Sequence, residues 1–105
     1  MDVIAAFKTF VRVAETESFS AAAREFHVGQ PAVSKQIAAL EDYLGTRLLQ
    51  RSTRSLTLTD EGVEFLNYAR AAIEAVDEAV EHSRGRKEHV AGVLRMTANA
   101  SFGRM

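Results

Sequence analysis

The chain contains one proline, Pro31, and a regular apolar stripe begins directly behind it in GQPAVSKQIAALE, residues 29–41. Proline has no N–H and its ring blocks the preceding turn, so within a helix it is at home only in the first turn. A helix must therefore start here. Val33, Ile37, Leu40 and Leu44 fall within an arc of about 60° at ~100° per residue, which commits one face to a core. Gly45 follows as a C-cap signal. If the stripe is buried, Pro31, Lys35 and Asp42 lie opposite it and Ser34 flanks it, with Gln30 at the start. Upstream, Ser20 is read as the N-cap of a short helix through AAAREF that ends near Phe26–His27. The pair Val28–Gly29 turns the chain, glycine being suited to the positive φ of a tight turn. Two helices joined by a short glycine turn form either a helix-turn-helix or a plain αα-hairpin, and this pattern alone allows both.

The flanking segments narrow the choice. Residues 2–15 predict a first helix with Ile4, Phe7, Val11 and Ala14 on one face and Phe10 beside it. Beyond Gly45 the period changes: Leu48 and Leu49 precede a polar QRSTRS segment, and Leu56-Thr57-Leu58-Thr59 alternates. Two short strands and a tip, a wing, account for this pattern. The tip carries Arg51 and Arg54 among Ser52, Thr53 and Ser55, a group suited to phosphate contacts beside a helix-turn-helix, though alone it reads as a solvated loop. Thr59 then caps a long helix, with Asp60 and Glu61 where the helix dipole favours acids. That helix is expected to end at about Ser83 or Arg84. Its seam, Leu66, Ala69, Ile73, Val76 and Val80, repeats in heptad fashion. Phe65 and Tyr68 are expected to pack back on the first domain, and a helix from a second copy, in preference to the helix folding back on its own domain, is expected to cover the seam. Gly85 and Gly92 with Arg86 and Lys87 predict a linker, followed by a short strand at Val93–Thr97.

Composition excludes several functions. With no cysteine among 105 residues, disulfides, Cys-based zinc sites and thiol nucleophiles are ruled out. His27, His82 and His89 are scattered without ligand spacing, and the neighbours Glu41-Asp42 and Asp60-Glu61 diverge on helices, so no catalytic constellation, metal site or cofactor is expected. MDVIAAFKTF is neither a signal peptide nor a membrane span, and a cytoplasmic protein is the simplest expectation. The net charge of −1 hides an asymmetry: residues 28–59 are mildly basic and residues 60–91 acidic. On charge alone this reads as ordinary solvated surface, though it also fits one part facing a polyanion and one held away from it.

The order of these features, and above all SFSAAAREFHVGQPAVSKQIAALEDYLGTRLLQRSTRSLTLTDEG at residues 18–62, resembles the N-terminal DNA-binding domain of LysR-type transcriptional regulators. The resemblance runs from residue 1 to about residue 84. It implies a mainly α fold: a winged helix-turn-helix of three helices and a two-stranded wing at residues 1–59, then a dimerisation linker helix at 60–84. Residues 85–105 would be the hinge and first strand of an effector-binding domain otherwise absent. The implied partners are double-stranded DNA and a second copy of the chain, with tetramers and a small-molecule effector expected only for a full-length protein. Carried over by position, the resemblance places Ser20, Gln30, Pro31, Ser34 and Lys35 at the DNA, the last four in the major groove, and Arg51, Thr53 and Arg54 on phosphates or the minor groove. The family often has arginine where Lys35 stands, and lysine offers a point charge in place of a planar fork. Side-chain chemistry agrees: glutamine pairs with adenine, lysine donates to guanine, and serine serves base or phosphate. The competing expectation is a winged-helix protein-interaction module that does not bind DNA.

Overall fold

The computed structural model describes residues 1–52 and 55–90, with side chains up to Arg84. It divides into two compact units, residues 1–73 and 74–105. The first holds three helices, α1 (Val3–Thr16), α2 (Phe19–Phe26) and α3 (Gln30–Leu44), and a hairpin of β1 (Leu49–Arg51) and β2 (Leu56–Leu58). The start of α4 (Asp60–Val90) completes it. The strands are antiparallel, with Leu49 opposite Leu58, Gln50 opposite Thr57 and Arg51 opposite Leu56. This is the expected mainly α winged helix-turn-helix.

Local chemistry sets most boundaries. Asp2 caps α1 through Ala5 N–H at 3.1 Å, and α1 stops at Glu17, which takes the left-handed conformation at φ 56°. The cap of α2 differs from the expectation. Ser18 fills it, extended at φ −156° and accepting from Ala21 N–H at 3.0 Å, whereas Ser20 is already inside the helix. The chain leaves α1 so abruptly that the first serine after the bend, not the second, meets the free N–H groups of the new helix. The turn before α3 also differs. His27, not Gly29, takes the positive φ (58°), and Val28 N–H then donates to Ala23 C=O at 3.0 Å. Gly29 is extended (φ −77°, ψ 153°) and precedes α3 without a side-chain cap. Pro31 lies in the first turn of α3 and Gly45 ends it at φ 74°, both as expected.

The core is built on Phe10, Val13, Val33, Ile37, Leu40 and Leu48, all with less than 2% of their surface exposed. Three of the four stripe residues of α3 are thus fully buried, and Leu44 packs at the edge. On α1 the buried face is rotated from the expected one: Ala6, Thr9, Phe10, Val11 and Val13 are buried, while Ile4 and Ala14 are only half-buried. Alanine at position 6 lets another element approach closely, so a small residue marks the centre of this face. The buried Thr9 hydroxyl lies 2.7 Å from the Gln36 side-chain oxygen and 3.0 Å from Ala5 C=O. Turning the Gln36 amide to present its NH2 to Thr9 satisfies both contacts. At the surface, Arg12 joins Glu25 and Glu15, and its hydrogen bond holds the Glu25 carboxyl below the usual range.

The first turns of α4 belong to this core. Phe65 meets Phe7 edge-on at 5.1 Å and Phe10 at 5.6 Å. Ala69 is fully buried, and Leu66 and Ile73 pack against the cluster. Of the seam expected to meet a second copy, Ala69 is thus buried in its own domain, while Leu66 and Ile73 are half-buried against it. Tyr68, expected to pack inward, is 72% exposed; it lies off the buried line of Phe65, Ala69 and Ile73. In the second unit, Val76 is half-buried and Val80 exposed. The helix continues through Gly85 to Val90, past the expected end at Ser83–Arg84. A lone helical glycine costs only ~1 kcal/mol, and Arg84, Arg86 and Lys87 favour helix around it. The expected strand at Val93–Thr97 lies outside the described residues.

Candidate nucleic-acid interface

The N-terminal end of α3 is the most exposed part of the helix pair. Gln30, Pro31 and Lys35 are exposed and Ser34 half-buried. Pro31 has no N–H to satisfy, and Gly29 brings no side-chain acceptor, so this positive helix end stays open to an anion. Gln36, one residue beyond Lys35, turns inward to Thr9, which separates the inward polar group of α3 from the outward ones. Ser20 extends the polar surface onto α2: its hydroxyl donates to Gln30 Oε1 at 2.9 Å. Not being a helix cap frees Ser20 for that bond.

The wing brings Arg51 beside this surface. Arg51 is exposed at the end of β1, and its guanidinium lies over the Phe19 ring, 4.5 Å from the centroid. Phe19 immediately precedes Ser20, so Arg51, Phe19, Ser20 and Gln30 form one continuous run from the wing to the start of α3. Gln50 and Thr57 pair on the exposed face of the hairpin. Ser52 N–H donates to Ser55 C=O at 2.9 Å, closing the tip. Thr53 and Arg54 lie outside the described residues.

Glu41 sets the height of the wing. Its carboxylate accepts from Leu48 N–H at 2.8 Å and Leu49 N–H at 3.2 Å, and Arg47 Nε lies 3.7 Å away. A residue of α3 thereby holds the base of β1. On the far side, Thr59 N–H donates to Leu48 C=O at 3.0 Å. The Thr59 hydroxyl donates to Arg47 C=O at 2.7 Å and accepts from Gly62 N–H at 2.9 Å. The expected cap at Thr59 is therefore present and also ties α4 to the wing.

Three residues that sequence reasoning passed over are prominent here: Phe19, Glu41 and Gly62. Phe19 carries no periodic signal of its own, and Glu41 reads only as half of a diverging acidic pair with Asp42. Gly62 alone carried a local signal, a glycine in the first turn of an otherwise strong helix. Among the described residues no cluster of acids and histidines is arranged to hold a metal, and no helix is long and apolar enough to cross a membrane. His27 is a helix-ending backbone position.

Comparison with known proteins agrees with this geometry. A "Probable hydrogen peroxide-inducible genes activator" of Mycobacterium xenopi is 41% identical over 93 residues, covering 89% of this chain and 49% of that protein. The chain spans only 30% of the similarly described protein of Mycobacterium avium. Among solved structures, a BenM DBD in complex with catB site 1 DNA is 34% identical with a TM-score of 0.77, covering 88% of this chain and 98% of that one. A CbnR DBD–DNA complex is 39% identical with a TM-score of 0.76, covering 80% and 97%. The profile described as "Bacterial regulatory helix-turn-helix protein, lysR family" matches residues 4–63. The chain belongs to the lysR family of bacterial regulatory helix-turn-helix proteins.

Proposed function

We propose that the chain is a cytoplasmic, sequence-specific DNA-binding transcriptional regulator. It acts as a dimer on a pseudo-palindromic duplex, with α3 in the major groove and the wing on the backbone or minor groove. The observation that carries this reading is the unbroken run from Gln30 through Ser20 and Phe19 to Arg51. It joins a base-reading amide to a phosphate-binding cation across three elements, α3, α2 and β1. The DNA bound by the similar BenM and CbnR DBDs in their complexes supports it. Gln30, Pro31, Ser34 and Lys35 read bases in this scheme, and Ser20, Arg51, Thr53 and Arg54 grip the backbone. A mobility-shift assay against random duplexes decides between this role and a protein-interaction module, since the latter shifts none of them.

Reading and gripping are separable. Gln30→Ala is expected to lose ~1–3 kcal/mol on the preferred duplex and to relax discrimination at one base pair. Because Gln30 is exposed, its melting temperature should match wild type. Equal weakening on preferred and scrambled duplexes would remove Gln30 from the reading role.

For the dimer, Val76 and Val80 are proposed as the available part of the seam, continuing from Leu66, Ala69 and Ile73, which serve the domain's own core. Charged residues at Val76 and Val80 together should yield monomers by analytical ultracentrifugation while the first unit keeps its melting temperature. A variant that sediments as a dimer sinks this assignment. In the dimer the two α3 helices should meet major grooves spaced by roughly 34 Å or a multiple of it.

A further inference from the structure

We infer that Phe19 is a positioning residue for DNA binding: its ring holds the Arg51 guanidinium in place, at a set distance from the reading end of α3. The inference rests on the DNA-binding reading above and deepens it. Arg12 and Arg70 each sit hydrogen-bonded against a glutamate, and Arg47 lies more loosely 3.7 Å from one. Arg51 has no carboxylate partner among the described residues and sits instead against an aromatic face. A carboxylate would cancel the charge that an anion needs. A ring face attracts the cation through its quadrupole yet leaves the net charge and the N–H edge available.

Position matters as much as charge. An arginine on an exposed strand end samples many rotamers, and each phosphate contact must overcome that freedom. Phe19 removes much of it before DNA arrives. The ring itself is well placed to do so, being buried to 9% exposure in the core cluster. It is also the first residue of α2, directly before Ser20, whose hydroxyl is bonded to Gln30. One short stretch of backbone therefore sets the separation between the cation and the base-reading amide. Phe19 touches no DNA in this scheme and acts only through Arg51.

Phe19→Leu keeps apolar bulk and removes the ring face. Binding is measured by fluorescence anisotropy on the preferred duplex for wild type, Phe19→Leu, Arg51→Ala, the double variant and Phe19→Tyr. With two copies per dimer, Phe19→Leu should weaken binding roughly 5- to 30-fold. Phe19→Tyr should restore it, and the double variant should bind no more weakly than Arg51→Ala alone. Losses that multiply in the double variant, or Phe19→Leu binding like wild type, overturn the inference. A second readout needs no DNA: in wild type the Arg51 side-chain proton resonances should be shifted upfield by the ring, and Phe19→Leu should return them to ordinary values. An unshifted Arg51 in wild type overturns the inference by itself. Wild type failing to bind any duplex, with Arg51 shifted, instead defeats the DNA-binding reading and leaves the stacking intact.

Discussion

Gly62→Ala should unfold or severely destabilise the first unit, although the change normally favours a helix by ~0.5–1 kcal/mol. A Cβ at position 62 would lie 2.1 Å from the Leu48 carbonyl oxygen and 3.0 Å from its carbonyl carbon. Both are backbone atoms, so no rotamer change relieves the overlap. Either β1 or the first turn of α4 must move. Moving α4 breaks the Thr59 bonds to Leu48 and Arg47 and withdraws Phe65 and Ala69 from the core. Moving β1 breaks both amide bonds to Glu41. The loss should be ~3 kcal/mol or more, a large part of the ~5–15 kcal/mol that holds a typical domain together. Gly85→Ala is the matched control: it too lies in α4, and its Cβ would meet nothing within 4 Å. It should be neutral or stabilise by up to ~1 kcal/mol. Urea denaturation of both variants compares them directly, and a Gly62 variant as stable as wild type would show that the wing and α4 are not in contact as described.

Between 50 and 200 mM salt, DNA affinity should fall about 1,000-fold. The figure follows from charge placement. If Arg51, Arg54 and one further cation per subunit each neutralise a phosphate, a dimer makes about six contacts and log K falls against log salt with a slope near −5. Arg47, just ahead of β1 with its side chain 77% exposed, is the natural third. Its 3.7 Å approach to Glu41 is too loose to withhold it from a phosphate in a high-dielectric setting. Removing Arg54 from both subunits should shallow the slope by about two units and weaken preferred and scrambled duplexes alike. An Arg54→Ala variant that alters sequence preference and leaves the slope unchanged would assign the wing to base reading in the minor groove.

The helical elements were legible because their signals are local. The α3 stripe repeats within a few turns, Pro31 opens it, Gly45 ends it, and Leu56-Thr57-Leu58 alternates as a half-buried strand must. The motif of residues 18–62 carried the family likeness as well, because its residues sit at set offsets within those elements. What the residues could not show depended on which elements met. Ser18 and Ser20 are equally good caps by chemistry, and only the path of the chain out of α1 selects Ser18. His27 and Gly29 compete for the left-handed turn position, and glycine, the freer residue, does not take it. Small residues hide their importance: Ala6 is fully buried but adds nothing to a periodicity built on bulk. The period of the α4 seam allowed two covers, a second copy or its own core, and only the tertiary packing of Phe65, Ala69 and the partly buried Leu66 and Ile73 ties that stretch to the first unit. The contacts that organise the candidate interface are likewise long-range. Phe19 meets Arg51 across 32 positions and Gly62 abuts Leu48 across 14. Nothing in the spacing of either pair foretells the meeting, since a helix period of ~3.6 residues and a strand period of ~2 govern only neighbours along one element.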